Sequence, residues 1–247
     1  MIDVSSEVRA QLAPHGVLSA SVYLGNFLLV TGRQPSGEPT GIAPDICRAI
    51  ADHLGVELNL KGCQTQEEVV ESAASGQCGI ALVGSDPARA QRVTFTPAYV
   101  ELEATYLVPE NSSIVDVAQV DQAGIRIASF FKSAYDLWLQ RNLKYATLVH
   151  ADSVLASNEL FAREKLDALA GLKTGLVTAS QNIPGSRILD GQFTGIQQAI
   201  ASKNSNLASI EFLSACVQEF IGSGLVTALI QKYQVQGLSA APLLRTS

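Results

Sequence analysis

Short apolar segments alternate along the chain with segments in which apolar residues recur every three or four positions. The first pattern is typical of strands and the second of amphipathic helices. The first pattern predicts strands at residues 17–22, 56–60, 80–83, 124–128, 146–149 and 166–170. The second predicts helices at residues 6–12, 44–54, 65–76, 133–143, 153–161 and 207–221. Strands that alternate with helices favour parallel sheets with helices on both faces, so the sequence predicts an α/β fold.

Two of the predicted helices carry more detailed expectations. Thr65 and Glu68 have the spacing of a capping box, in which both side chains bind free N–H groups at the start of a helix. The last long helix is expected to bury five apolar side chains along one face: Leu207, Ile210, Leu213, Val217 and Phe220.

The length and charge of the chain limit the classes of function that it is expected to have. The chain has 247 residues, enough for one large domain or for two of about half that length. Its net charge of −6 provides no basic patch, so nucleic acid is not an expected partner. No apolar run approaches the ~20 residues that span a bilayer, so no membrane span is expected.

The cysteines and the N-terminal segment bear on the compartment. Cys47, Cys63, Cys78 and Cys216 lack C-x-x-C spacing and the three histidines are scattered, so we expect no metal site. Free buried cysteines are the favoured interpretation, although an even number also permits two disulfides. Residues 1–15 lack the apolar core of a secretory signal. As written the chain would be cytoplasmic; a removed signal would make it an exported protein.

The most informative local pattern follows the strand predicted at 80–83. The chain turns at Gly84, and a helix is predicted to begin with Ser85 or Asp86 as its N-cap and Pro87 at its first position. Arg89 then lies in the first turn, where a guanidinium beside free backbone N–H groups suits a carboxylate or a phosphate. The alternative is that Arg89 is an ordinary solvated arginine.

Several segments together resemble one protein family. Residues 85–89 (SDPAR) and 95–99 (FTPAY) resemble a "T-P-E-R…F-S-x-P-Y" signature, and similar motifs occur at 41–46, 54–56, 75–80, 132–134, 195–203 and 224–233. Their order, over nearly the whole chain from about Val17 to Tyr233, resembles that of the type 2 periplasmic solute-binding proteins, the amino-acid-binding family of ABC importers.

The resemblance implies a two-lobed α/β fold of the type 2 periplasmic-binding-protein kind. Each lobe would be a mostly parallel sheet flanked by helices, hinged by two crossover strands near residues 103–106 and 192–195. Lobe 1 would be discontinuous, comprising residues 1–104 and 195–247, with residues 105–194 inserted as lobe 2. A ligand would bind in the cleft between them, where strands end and helices begin.

The resemblance also implies the site residues. Arg89 would grip a ligand carboxylate, with Gly84 and Ser85 beside it. Ser133 and Ala134, at the start of the helix predicted at 133–143, would contribute from the other lobe. Asn26 and Phe27 follow the first strand, where the family has an aromatic wall; core packing is the alternative for Phe27.

Two departures from the family pattern concern the ligand. The family's aspartate that pairs with an α-ammonium falls here on Gly171 or Leu172, neither of which can pair with a cation. Lys132 replaces a glycine, which indicates either a second anionic group on the ligand or a solvated side chain. Glu103 could supply a substitute carboxylate, with Glu101 on the same face; both could instead be surface residues.

These observations favour a monomeric solute-binding protein for a small carboxylate-bearing molecule, with an ABC permease or a sensor as its partner and no cofactor. The alternative is an enzyme resembling cyclohexadienyl dehydratases, which share this fold. Glu103 or Lys132 would then be the candidate general acid. No Ser–His–Asp set or phosphate loop is visible, so we assign no catalytic residue.

Overall fold

A computed structural model describes residues 4–235 and 237–244; the predicted lobe 1 also includes residues 1–3, 236 and 245–247, which lie outside the described residues. The helices are α1 (Ser6–Leu12), α2 (Ile42–Leu54), α3 (Gln66–Ala74), α4 (Pro87–Ala90), α5 (Ala134–Asn142), α6 (Val154–Glu164), α7 (Lys173–Asn182), α8 (Leu207–Gly222) and α9 (Leu225–Lys232). The strands are β1 (Val17–Tyr23), β2 (Gly32–Arg33), β3 (Pro39–Thr40), β4 (Glu57–Cys63), β5 (Ile80–Gly84), β6 (Val93–Pro109), β7 (Arg126–Phe130), β8 (Thr147–Ala151), β9 (Ala168–Leu172), β10 (Ser186–Ile188), β11 (Thr194–Lys203) and β12 (Leu238–Ala240). This order of elements confirms the predicted α/β class.

The chain divides into two compact units. Unit 1 comprises Met1–Glu101 and Gln197–Ser247, and unit 2 comprises Leu102–Ile196. The boundaries fall inside β6 and β11, so each of these long strands belongs partly to both units. That the units act as hinged lobes stays a prediction.

Unit 1 is built on strands in the order β4-β1-β5-β11-β6. β1 runs parallel to β4 and β5, and β11 runs antiparallel to β5. All five residues of β5 are buried, whereas exposed and partly buried residues alternate along most of β4. This is the pattern of a central strand beside an edge strand with one solvated face.

Unit 2 has the order β6-β9-β7-β8. β7 is parallel to β8 and β9, while β6 is antiparallel to β9 and also pairs with β10. A separate hydrophobic cluster lies between these strands and helices α6 and α7; it consists of Leu107, Ala128, Leu160, Phe161, Leu166, Leu169, Leu176 and Ala179.

Local rules set several element ends. Thr65 caps α3, its hydroxyl accepting from the Glu68 N–H at 3.1 Å, while the Glu68 carboxylate accepts from the N–H of Gln64 rather than from Thr65. Gly55 ends α2 in the left-handed conformation. α2 begins at Ile42, two residues before the predicted start.

One expectation about α8 is wrong. Its buried face consists of Ser209, Phe212, Leu213, Cys216, Val217 and Phe220, and Leu207 is 67% exposed. At 3.6 residues per turn Leu207 lies almost opposite that face, and Ile210 lies at its edge. Within residues 4–235 and 237–244 no single helix is long and apolar enough to cross a membrane; α8 and α9 meet that test only as a pair, across a bend of 66°.

Candidate functional site

The loop after β5 places Arg89 as the sequence predicts. Asp86 is the N-cap of α4, its carboxylate accepting from the Ala88 N–H at 2.8 Å, and Pro87 occupies the first helical position. Arg89 is only 7% exposed, so it is not a solvated surface arginine. Its guanidinium donates to the Gly84 carbonyl at 2.6 Å and to the side-chain oxygen of Gln66, the first residue of α3.

Burial governs the electrostatics of Arg89. Removal from water lowers the pKa of Arg89 to about 10, against the opposing effect of Asp86 and Glu67, whose negative charges raise it. The side chain therefore stays cationic at neutral pH. A guanidinium removed from water interacts strongly with a negative charge, so the position suits an anionic partner.

The other residues predicted in unit 1 share the edge of the sheet where Arg89 lies. Asn26 and Phe27 follow β1, and Gly84 and Ser85 end and follow β5, which is parallel to β1 and paired with it. Neighbouring parallel strands bring their carboxyl ends to one edge. Phe27 is 50% exposed, which is inconsistent with the alternative of core packing.

The residues predicted in unit 2 begin at the loop between β7 and α5. Ser133 is the N-cap of α5 and is buried, and its hydroxyl oxygen accepts from the Asp136 N–H at 3.2 Å. Its own N–H donates to the Phe130 carbonyl at 3.2 Å, so that N–H already has a partner within the loop. Ala134 is the first helical residue, and the exposed Lys132 has a left-handed φ of 59°.

Glu103 is not solitary. It lies on β6, and its carboxylate accepts from the Lys173 ammonium at 2.6 Å. Lys173 is the first residue of α7, directly after Leu172, which precedes the helix as an N-cap without a capping side chain. The Glu103 carboxylate, which was expected to substitute for the family's aspartate, is thus already paired with Lys173. Glu101 lies in unit 1 and accepts from the side chain of Gln197.

Sequence reasoning did not identify Asp136 and His150. Asp136 is completely buried in the first turn of α5, and one of its oxygens lies 3.1 Å from Nε2 of His150, in β8. His150 also packs against the ring of Phe131, with 4.9 Å between ring centres. A histidine near the carboxyl end of a strand, beside an expected anion-binding loop, was the signal that could have identified this pair.

Across the part of the chain that the structure describes, no three His, Cys, Asp or Glu side chains are grouped so as to hold a metal ion. The four cysteines are buried and free, all of them in unit 1.

Comparisons with known proteins identify the family. The sequence matches the model of the family described as "Bacterial extracellular solute-binding proteins, family 3" over residues 27–236. A search of curated proteins gives no match. The match to the family covers most of the chain, including every residue of the expected site except Asn26.

Solved structures with the same fold include a mutant of ArgBP from T. maritima, at 18% identity and a TM-score of 0.71, covering 92% of this chain and 99% of that one. The cysteine-binding protein from Campylobacter jejuni has 17% identity and a TM-score of 0.71, with 93% of both chains covered. The BvgS VFT2 domain of Bordetella pertussis, as a double mutant, has 20% identity and a TM-score of 0.73, covering 94% of this chain and 100% of that domain. The chain therefore belongs to the bacterial extracellular solute-binding proteins of family 3 and has the fold of type 2 periplasmic binding proteins.

Proposed function

We propose that this protein captures a small carboxylate-bearing molecule, amino-acid-like or an organic acid, between its two lobes and closes on it. The observation that carries the proposal is the buried Arg89, held at the start of α4 by Gly84 and Gln66. A planar guanidinium matches a carboxylate with two parallel hydrogen bonds. Membership of the solute-binding family supports the same role.

The positions of the candidate residues in the chain support the proposal that the protein closes on its ligand. Arg89, Ser85 and Phe27 belong to unit 1, whereas Lys132, Ser133 and Ala134 belong to unit 2. A ligand that contacts both sets stabilises the closed state, because only closure makes both sets of contacts. The closed form would then deliver its cargo to an ABC permease or report the ligand to a sensor partner.

The test is a thermal-shift screen of amino acids and organic acids, followed by calorimetry on the compound that gives the largest shift. A ligand at 100 times its Kd stabilises the folded protein by about 2.7 kcal/mol, which gives a measurable shift. Arg89→Ala should abolish that shift, since loss of a desolvated charge-assisted contact costs about 2–5 kcal/mol.

Arg92→Ala is the matched control. Arg92 lies three residues away and is partly exposed, with its guanidinium paired to Glu67 and Glu71. The control should bind as the unmodified protein does. Equal affinity in Arg89→Ala and in the unmodified protein would remove Arg89 from the site and the main support from the proposal.

The dehydratase alternative gains no support from the site. Its candidate acids are Glu103 and Lys132, and Glu103 accepts a hydrogen bond from Lys173, which is the opposite of the donor role that a general acid needs. Turnover of prephenate or arogenate by the same preparation would restore that alternative.

A further inference from the structure

The loop between β7 and α5 is supported from inside by one carboxylate. Oδ2 of Asp136 accepts from the backbone N–H of Lys132 at 3.0 Å and from Nε2 of Gln140 at 2.5 Å. The first of these bonds holds Lys132 in its left-handed conformation, and that conformation turns the chain into Ser133. Asp136 therefore determines the shape of the loop that the proposed function assigns to ligand binding.

The second oxygen of Asp136 is in a different situation. Oδ1 is buried and makes no hydrogen bond to the residues that the structure describes, yet it lies 3.1 Å from Nε2 of His150. A buried carboxylate oxygen without a donor is costly. The imidazole of His150 makes no hydrogen bond to it, so a positive charge on that ring would compensate for it only electrostatically.

His150 is placed to exchange that proton with water. Its side chain is 36% exposed, and it lies next to the last residue of β8. Among the described residues, the charged groups near it include Asp136 of α5 and, across the Phe131 ring, Lys132, whose ammonium lies 5.4 Å from the centre of that ring. Histidine is the side chain that ordinarily changes charge between pH 5 and 8.

The negative charge of Asp136 therefore lies in the first turn of α5, where a ligand carboxylate would bind. It already takes the Lys132 N–H, and it repels a second anion at Ser133 and Ala134. We propose that Asp136 is a positioning residue for this loop, and that protonation of His150 neutralises Asp136 and raises the affinity of the loop for a carboxylate. This inference depends on the proposed function.

Histidines gain positive charge as the pH falls. A positive charge on His150 would offset the charge of Asp136, so the proposal expects anion binding to strengthen from pH 8 to pH 6. An effect of about three- to tenfold is expected for charges several ångströms apart near a protein surface. Oxalate is a suitable probe because it is a dianion at both pH values and carries no ammonium.

The experiment is an NMR titration of the full chain with oxalate at pH 6 and pH 8. The amide signals of residues 132–134 report the loop, and those of residues 85–89 report the Arg89 region. His150→Gln should bind at both pH values with the affinity of the unmodified protein at pH 8. The control His53→Gln, whose imidazole lies beside Glu219, should keep the pH dependence.

Asp136→Asn separates positioning from charge. The amide oxygen of the new residue would keep the acceptor for Lys132, and the charge would be gone, so binding at pH 8 should tighten by about three- to tenfold and lose its pH dependence. Asp136→Ala, which lacks the acceptor, should bind more weakly at both pH values. If Asp136 only stabilised the fold, Asp136→Asn would also weaken binding.

The outcomes separate the two proposals. Oxalate affinity that is equal at pH 6 and pH 8, with the signals of residues 85–89 still shifting, would overturn the role of His150 and leave the proposed function in place. Weaker binding in Asp136→Asn at pH 8 would also overturn it. No shift in either group of signals would count against both proposals.

Discussion

Lys173 changes which charged groups are available to a ligand at the end of β9. The family resemblance places an ammonium-pairing aspartate at Gly171 or Leu172, and here the next residue is a cation that contacts Glu103 at 2.6 Å. Both side chains of the pair are about half exposed, so the pair itself adds little stability. The pair affects ligand specificity, because the Glu103 carboxylate is already paired with a cation of its own chain.

We predict that the unmodified protein does not prefer zwitterionic α-amino acids over organic acids of similar shape, because the Glu103 carboxylate at this position is already paired. Lys173→Met should release Glu103 and shift the preference toward amino acids by about tenfold, as expected for a charge-assisted hydrogen bond. Calorimetry with matched pairs, such as alanine and lactate, measures the preference.

The double variant Lys173→Met with Glu103→Gln is the control for that prediction. It removes the released carboxylate and should abolish the gain. A standard amino acid bound tightly by the unmodified protein, with no effect of Glu103→Gln, would show that another group pairs with the ammonium.

At the scale of elements, the start of α2 depends on one glycine. Gly41 precedes the helix with a φ of 144°, and a Cβ there would lie 2.4 Å from the carbonyl oxygen of Leu29. That carbonyl accepts from the Ala43 N–H at 3.0 Å, so it cannot move away without loss of a hydrogen bond at the start of the helix. α2 in turn binds α9, since Asp45 accepts from both Lys232 and Tyr233.

Gly41→Ala should therefore lower the free energy of unfolding by about 3 kcal/mol or more, as a backbone conformation and a close contact are both violated. Gly37→Ala is the matched control, because Gly37 also has a positive φ but no atom lies within 4 Å of the place that an alanine methyl group would occupy. It should cost only about 1–2 kcal/mol. Urea unfolding measures both; equal costs would show that the contact with Leu29 relaxes freely.

Local patterns were sufficient to predict most elements. The Ser–Asp–Pro start of α4 and the threonine cap of α3 are short-range signals, and both were confirmed. α7 was not predicted because Thr174, Gly175 and Val177 disfavour a helix. It forms because Leu176 and Ala179 pack into the core of unit 2, which is a tertiary effect.

The candidate site was predictable only where it is local. Arg89 could be placed from its own segment, although its contact with Gln66 could not. Glu103 and Lys173 are 70 residues apart, and neither segment signals the other. The pairing of Asp136 with His150 likewise depends on β8 lying beside β7, which the sequence pattern does not specify.

At the scale of the whole molecule, the four cysteines are distributed over unit 1 and are all buried. Burial raises the pKa of the Cys216 thiol to about 12 and also raises the pKa values of Cys47 and Cys63. The reactive thiolates of these three cysteines are therefore scarce in the folded protein at pH 8, and unfolding returns their thiols to the ordinary pKa.

We predict that a thiol reagent added at pH 8 modifies the folded protein only slowly and modifies four thiols after denaturation without a reductant. Mass spectrometry counts the modified residues. Denaturation in the presence of the alkylating reagent is the control for thiol–disulfide exchange during unfolding. Fewer than four reactive thiols would reveal a disulfide and would favour an exported protein over a cytoplasmic one.

The placement of β11 has a consequence for how the chain acquires its structure during synthesis. In unit 1 this strand lies between β5 and β6, although it comes about a hundred residues later in the sequence. Unit 2 is one continuous stretch, Leu102–Ile196, and is complete before the unit 1 part of β11 leaves the ribosome. Until then β5 and β6 lack this neighbour, so we expect unit 2 to form first and the completion of unit 1 to be the slow step that is exposed to aggregation.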